Sequence, residues 1–180
     1  MIVKLQGLLV EKTAPWVVVD CHGIGYECEV PLSTFKHLPE LGKTVNLLTH
    51  FVVREDAQLL YGFLSVDERS AFRHLLKVGG IGAKLALAIL SGLSLVDLQQ
   101  AVSAQDAARL TGISGIGKKT AERIILELKD KLSLNLSASP ATRDDALVAL
   151  LGLGYHEREA RAALQNVSPS LNLPDRIRAA

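Results

Sequence analysis

The residues best suited to chemistry form a motif that occurs twice, 35 residues apart. In each copy two glycines flank an isoleucine and a lysine follows: Gly80-Ile81-Gly82 with Lys84, and Gly115-Ile116-Gly117 with Lys119. Glycines permit a tight backbone turn that other residues adopt only at a cost. A turn of this kind before a helix leaves main-chain N–H groups pointing outward, where they and the helix dipole bind phosphate. The repeat therefore predicts two phosphate-binding hairpins, at residues 78–82 (the first hairpin) and 113–117 (the second hairpin).

The lysines favour this interpretation. Lys84 and Lys119 fall in the first turn of the helix that follows each hairpin, and Lys118 adds a second cation in the later copy. A cation at this end of a helix opposes the helix dipole, so a bound phosphate explains it better than helix stability does. We expect Ile81 and Ile116 to turn inward and hold each hairpin against its own helices.

A nucleotide-binding loop is a competing interpretation of the second hairpin. Residues 112–119 fit most of the GxxxxGK pattern, but Lys119 stands where a Ser or Thr would hold magnesium. We also expect a helix rather than a strand before this loop. We therefore do not predict ATP binding.

The elements before the repeat are predicted to be strands. Segments 1–11, 16–22, 26–30, 44–54 and 58–63 are rich in β-forming residues, and Val45, Leu47 and Thr49 alternate along one of them. A short helix is expected at 31–38. Five strands with a helix between the third and fourth predict a small barrel of the OB type.

The segment from residue 65 is predicted to be helical. The run from Ser65 to Glu68 fits a capping box in which the Glu68 side chain reaches back to the helix start. Further helix starts are expected at Ser94 and Ser103, and a long amphipathic helix at 118–131. Residues 133–141 carry no charge and have the composition of a linker. Three short helices are expected after it, at 142–151, 156–164 and 169–179.

Charge and composition exclude several classes of protein. The chain has 20 Lys+Arg and 19 Asp+Glu, and the basic excess lies in residues 65–131, with ten against seven. Aromatic residues make up 4% of the chain, too few for a surface that stacks many bases. No apolar run reaches the length of a membrane span and no signal-peptide pattern precedes the strands, so we expect a cytoplasmic protein without membrane contact.

Two cysteines, Cys21 and Cys28, are predicted to lie on neighbouring strands. They lack the spacing and the histidines of a zinc site, and we expect no metal and no cofactor. Reduced thiols are the favoured state, although a disulfide is geometrically conceivable.

Three features together resemble the RuvA family: the run Thr-His-Phe-Val-Val-Arg-Glu-Asp-Ala-Gln-Leu-Leu-Tyr-Gly-Phe at 49–63, the two hairpins, and Gly-Lys-Lys-Thr-Ala-Glu-Arg at 117–123. RuvA proteins bind the four-way (Holliday) junction and position the RuvB ATPase motor for branch migration in DNA recombination and repair. The resemblance implies a multidomain α+β protein. Its parts would be an OB-fold barrel at 1–64, a tandem helix-hairpin-helix domain at 65–132, a linker at 133–141 and a three-helix, UBA-like motor-docking domain at 142–180.

The resemblance also implies roles for individual residues. A non-catalytic homotetramer, or an octamer of two tetramers, would hold an open, square-planar junction, with the resolvase RuvC as a further candidate partner. Glu55 and Asp56 would form an acidic pin that separates strands at the crossover, and Leu150, Leu153 and Tyr155 would contact the motor, unless they serve as core of a very small domain. The DNA-binding residues would be Gly79, Gly80, Gly82, Lys84, Gly115, Gly117, Lys118, Lys119 and Arg123.

The chain departs from the family pattern in both hairpins. Gly79 and Ala83 stand where relatives carry Asn and Pro, and Ser114 stands where Pro is usual. Proline would stiffen the turn, but its absence leaves the main-chain N–H groups available.

Two other functions stay open from sequence alone. A nuclease or glycosylase could hold DNA with the same hairpins, but it needs clustered carboxylates or a catalytic pocket. We interpret Asp67, Glu68, Glu122 and Glu127 instead as helix caps and surface ion pairs. A protein-only adaptor, in which the hairpins are merely packing turns, is the second alternative.

Overall fold

The computed structural model describes residues 1–132, 150, 155, 157–165, 167 and 175. The chain divides into two compact units, Met1–Leu136 and Ser137–Ala180. The first unit contains the barrel and both hairpins.

Five strands form a closed barrel at the start of the first unit. They are β1 (Lys4–Thr13), β2 (Trp16–Cys21), β3 (Ile24–Glu29), β4 (Thr44–Val53) and β5 (Gln58–Phe63), with the short helix α1 (Leu32–His37) between β3 and β4. Neighbours around the barrel run in the order β1-β2-β3-β5-β4, and only the β3–β5 pair is parallel. Short turns join β1 to β2 and β2 to β3, and the first contains a cis Ala14–Pro15 bond. The OB-type barrel predicted from the sequence is confirmed.

Period-two alternation builds the barrel interior. Val45, Leu47 and Thr49 of β4 are buried as the pattern predicts, whereas Val53, at the far end of the same strand, is 63% exposed. The end of the β4–β5 hairpin therefore extends beyond the packed interior. The remaining buried apolar side chains of the barrel are Leu5, Leu9, Val17, Val19, Cys28, Val30 and Leu38.

Five helices follow the barrel in the described part of the first unit, up to residue 132. They are α2 (Val66–Leu75), α3 (Ala83–Gly92), α4 (Leu95–Ser103), α5 (Ala107–Thr111) and α6 (Lys118–Leu132). Their core includes Phe72 of α2, which packs against the rings of Tyr61 and Phe63 from β5. Because barrel side chains belong to the helical core, the barrel holds the helices that flank the hairpins.

Two of the three helix starts predicted at serine residues are confirmed. The Ser65 and Ser94 hydroxyls accept hydrogen bonds from the main-chain N–H groups of Glu68 and Asp97. The start expected at Ser103 is wrong, because α4 ends there and the Asp106 side chain caps α5 instead. An aspartate carboxylate caps as well as a serine hydroxyl does, which is why spacing alone misplaced this boundary.

The position of the Glu68 side chain also differs from the prediction. Its carboxylate does not reach back to the start of α2 but lies buried, 8% exposed, against α1. It accepts hydrogen bonds from the Ser33 hydroxyl and, at 2.5 Å, from the Thr34 hydroxyl. Half of the predicted capping box is thus replaced by a polar tie between α1 and α2.

The second unit shows one helix among its described residues, α7 (Glu157–Gln165). Leu150 is 5% exposed and clusters with Ala160 and Leu164, so of the two roles left open for it the structure favours packing within its unit. Tyr155 is 56% exposed. Leu153, the linker at 133–141, and the helices expected at 142–151 and 169–179 lie outside the described residues, apart from isolated positions.

Among the described helices, none is by itself long and apolar enough to cross a membrane. A single pair, Ala83–Gly92 with Leu95–Ser103, passes the length and composition test jointly, but the two helices are bent by 98°.

Candidate nucleic-acid interface

The first hairpin is a tight turn between α2 and α3. The Ile81 N–H donates to the Val78 carbonyl at 3.1 Å, and Gly80 has φ +85°. A hydrogen-bonded turn with only its third residue in the left-handed region is a type II β-turn, a conformation that glycine adopts without strain. Gly82 then stands at the N-cap of α3.

The second hairpin repeats this geometry before α6. The Ile116 N–H donates to the Ile113 carbonyl at 3.0 Å, and Gly115 has φ +88°. The first main-chain bonds of the following helices also match, since Ala86 donates to Gly82 and Ala121 donates to Gly117, both at 2.9 Å. The sequence repeat is therefore a structural repeat.

In both hairpins the central isoleucine is buried, whereas the surrounding glycines and cations are exposed. Ile81 is 6% exposed and Ile116 is 5% exposed, which confirms that the central isoleucines turn inward. The N–H groups at the start of each of these two helices precede its first intrahelical hydrogen bond, so no carbonyl lies one turn back to accept from them. At the start of α3, where Gly82 is the N-cap residue, no side chain accepts from these groups either. The glycine and cation positions predicted for DNA binding are all exposed: Gly79, Gly80, Gly82, Lys84, Gly115, Gly117, Lys118, Lys119 and Arg123.

The helix α5, Ala107–Thr111, precedes the second hairpin. A nucleotide-binding P-loop follows a strand. The expectation that a helix rather than a strand precedes residues 112–119 is therefore confirmed.

Each hairpin also contacts the helix that follows the other hairpin. Arg123 of α6 donates from Nη1 to the Gly79 carbonyl at 3.0 Å. On the other side, a β-carbon built at Gly115 would lie 3.4 Å from the Leu85 side chain of α3. Each hairpin thus packs against the helix of the other, which sequence spacing alone did not indicate.

A carboxylate lies near one of the candidate cations. Glu29 of β3 and Lys84 of α3 line a cleft of about 250 Å³ between the barrel and the helices. Burial raises the pKa of the Glu29 carboxyl above its usual value, and the Lys84 ammonium opposes that rise. Sequence reasoning missed Glu29, since nothing in a strand sequence tells which helix will pack against it.

Two further cations, Arg69 and Arg73, lie close to His50 of β4. His50 packs edge-on against Phe72, and its pKa is lowered by burial and by the nearby Arg73 and Arg69. Arg69 donates to the Val3 carbonyl at 3.0 Å. This group extends the positive charge of the unit beyond the hairpins.

The predicted acidic pin occupies the tip of the β4–β5 hairpin. Glu55 and Asp56 are exposed between the strands, and the Arg54 N–H closes the turn by donating to the Ala57 carbonyl at 2.8 Å. A short closed turn holds both carboxylates at the end of a projecting hairpin.

Acidic side chains elsewhere in the described residues are dispersed. No three His, Cys, Asp or Glu side chains there lie close enough together to hold a metal ion. Two ion pairs in the described helices join Arg109 to Asp97 at 3.9 Å and to Asp106 at 3.6 Å.

A closed five-stranded barrel joined to two matched glycine hairpins defines an OB-barrel protein with a tandem helix-hairpin-helix. Residues 1–62 match the family model described as RuvA N terminal domain, residues 72–130 match SAM-like Helix-hairpin-helix tandem, and residues 141–180 match RuvA, C-terminal domain. The chain belongs to the RuvA family.

Curated relatives agree over the full length. The chain is 57% identical to a protein of Methylobacillus flagellatus over 99% of its own length and 95% of the relative's. It is 56% identical to a protein of Leptothrix cholodnii, covering 100% and 97%, and 55% identical to one of Burkholderia thailandensis, covering 99% and 95%. Each of these relatives is named Holliday junction branch migration complex subunit RuvA.

Proposed function

We propose that this chain is a Holliday-junction-binding scaffold that holds the junction open and positions the RuvB motor for branch migration. The observation that carries the proposal is the pair of outward-facing hairpins, identical in turn type and fixed on one compact unit. Two phosphate sites at a set separation recognise the path of a DNA backbone rather than a base sequence.

Phosphate binding would combine main-chain and side-chain groups. The open N–H groups at Gly82 and Gly117 would donate to phosphate oxygens, and Lys84, Lys118 and Lys119 would add positive charge. Because such contacts release counterions, affinity falls steeply as salt rises. Sequence preference is weak because no base edge is involved.

The acidic pin would act by repulsion. Carboxylates at the exposed positions of Glu55 and Asp56 repel phosphate, so they would keep the strands apart at the crossover rather than add affinity. Arg54, next to them in sequence, offsets part of that repulsion.

Junction geometry requires several copies of the chain. Four copies around a fourfold axis would present eight hairpins to four arms leaving one plane, which a single copy cannot do. Large apolar side chains exposed on the barrel strands, Leu8, Val10, Trp16, Ile24 and Val53, offer surface for contacts between copies. A second tetramer on the opposite face and RuvC are further partners under this proposal.

Chemistry would belong to the motor. The scaffold would contribute no catalytic group and no cofactor, and ATP hydrolysis would be carried out by RuvB. The C-terminal unit would dock the motor through a surface that includes Tyr155, which is 56% exposed.

The test is branch migration of a synthetic four-way junction by the RuvB motor, with and without this chain. We expect migration to require the chain, and the Lys84→Ala/Lys119→Ala variant to lose most of the stimulation. Lys43→Ala is the matched control, because it removes an exposed cation from a barrel loop. Magnesium-dependent cleavage of the junction by the chain alone would favour the nuclease alternative instead. DNA binding unaffected by the double substitution would favour the adaptor.

A further inference from the structure

The first hairpin contains a peptide group that two turn types orient differently. The peptide between Gly79 and Gly80 is the central one of the turn Val78–Ile81. Type I and type II turns differ chiefly by a rotation of this central peptide through about 180°. Since the C=O and N–H of a trans peptide point in opposite directions, that rotation exchanges the outward-facing group.

Glycine at both central positions makes this rotation cheap. Gly80 accepts the positive φ of a type II turn and equally the negative φ of a type I turn, and Gly79 has no side chain to restrict it. In the second hairpin the corresponding position is Ser114, whose β-carbon narrows the accessible conformations. The first hairpin therefore has less intrinsic preference for its observed conformation.

A hydrogen bond from Arg123 favours the observed conformation of the first hairpin. Its Nη1 donates to the Gly79 carbonyl at 3.0 Å, the carbonyl of the central peptide. The contact is close-fitting, because a β-carbon at Gly79 would lie 3.4 Å from Nη1 and one at Gly80 would lie 3.8 Å from it. Holding this carbonyl towards α6 turns the Gly80 N–H the opposite way.

The second hairpin lacks an equivalent brace. The residue that corresponds to Arg123 in the earlier copy, 35 positions before it, is Ala88, which carries no donor. In the described part of the chain, the close side-chain neighbour of Gly115 is the apolar Leu85. The two hairpins thus form a matched pair in which only one depends on Arg123.

We propose that Arg123 is a positioning residue that locks the central peptide of the first hairpin in its type II orientation and so decides which main-chain group this hairpin presents to a phosphate. One guanidinium nitrogen is engaged at Gly79, and the remaining N–H donors of the exposed side chain stay available to solvent or a ligand. The DNA-binding consequence rests on the proposed function, whereas the brace itself does not.

The direct test uses the free protein and needs no DNA. Arg123→Met keeps an unbranched side chain but removes the donor, and the exposed position of Arg123 makes a folding defect unexpected. A type II turn places a Gly79 Hα close to the Gly80 amide proton, whereas a type I turn places the Gly79 and Gly80 amide protons close together. We expect the first NOE to weaken and the second to appear in Arg123→Met, with shifted Gly79 and Gly80 signals. The corresponding NOEs between Ser114 and Gly115 serve as the internal control and should stay unchanged.

Lys119→Met is the matched control variant. It removes a cation from the same helix without touching the first hairpin, so the Gly79–Gly80 NOEs should match those of the unmodified chain. Unchanged Gly79–Gly80 NOEs in Arg123→Met would overturn the proposal. So would an equal change of the NOE pattern in both hairpins, because that result indicates general loosening.

A double-mutant cycle on junction affinity tests the functional consequence. If Arg123 acts through the first hairpin, Arg123→Met should couple to Lys84→Met more strongly than to Lys118→Met, by about threefold or more in affinity. Stronger coupling to Lys118 would make Arg123 an ordinary phosphate ligand of α6 and overturn the positioning role. Absence of junction binding by the unmodified chain would instead refute the proposed function, and the NOE measurement on the free protein would still decide whether Arg123 orients the Gly79–Gly80 peptide.

Discussion

At the scale of single residues, one glycine in each hairpin allows the turn that shapes the proposed DNA interface. Gly80 and Gly115 occupy the left-handed region, where a side chain is strained even when space is available. The neighbouring Gly112 has φ −69° and a helical conformation, which any residue adopts. The backbone conformation therefore favours glycine at position 115 but allows any residue at position 112.

This difference gives a prediction with a built-in control. Gly115→Ala should lower the free energy of unfolding by about 1–2 kcal/mol and weaken junction binding, because the turn must either strain or rearrange. Gly112→Ala should change stability by less than about 0.5 kcal/mol, since its β-carbon would meet nothing closer than 3.9 Å. Urea unfolding and fluorescence anisotropy of labelled junction DNA measure both. Equal effects of the two substitutions would show that the positive φ does not matter.

The buried thiol of Cys28 gives a pH prediction. Burial raises the pKa of Cys28 to about 12 from the ordinary value of 9.0, with smaller increases from Cys21 and Glu27. The unfolded chain therefore loses this proton at lower pH than the folded chain does. The stabilising contribution is complete below pH 9 and is lost as pH rises towards 12.

We expect the stability difference between the unmodified chain and Cys28→Ala to shrink between pH 8 and 10.5, by at most about 1.4 kcal/mol per pH unit. Urea unfolding at several pH values measures it. Cys21→Ala is the control and should retain the pH dependence of the unmodified chain. A difference that stays constant across this range would contradict a raised pKa.

At the scale of elements, the tie from Glu68 to α1 joins the helices to the barrel. Its buried carboxylate accepts hydrogen bonds from the Ser33 and Thr34 hydroxyls. Glu68→Ala should lower the free energy of unfolding by about 2–4 kcal/mol, because it leaves the buried Thr34 hydroxyl and the half-buried Ser33 hydroxyl without their acceptor. Glu122→Ala, at an exposed position of α6, should change it by less than about 0.5 kcal/mol. Similar small losses for both variants in urea unfolding would contradict this structural role.

The elements differ in how far the sequence could predict them. The barrel strands and α6 follow from periodicity and composition, which are local properties. The tie from Glu68 and the contact of Arg123 with Gly79 join residues 34 and 44 positions apart, and no local pattern encodes such pairs. The sequence left the role of Leu150 open for a related reason: an apolar residue has the same sequence signature whether it faces solvent or a small core.

At the scale of the whole molecule, the hairpins matter because they form a pair in which each contacts the helix that follows the other. The sequence predicted both hairpins and their inward isoleucines from one repeat. It could not predict their mutual bracing, nor the position of Glu29 beside Lys84, because both depend on how separate elements pack. The net charge of +1 likewise hides the basic excess of the helical segment.

The most direct test of the central claim compares the affinity of the chain for a four-way junction with its affinity for linear duplex of equal length. We would measure it at about 150 mM salt with excess competitor DNA, where nonspecific phosphate binding is already weak. Selective junction binding that is lost in Lys84→Ala/Lys119→Ala and kept in Lys43→Ala is the predicted result. Equal affinity for junction and duplex, or junction binding insensitive to the double substitution, would contradict recognition by paired phosphate-binding hairpins.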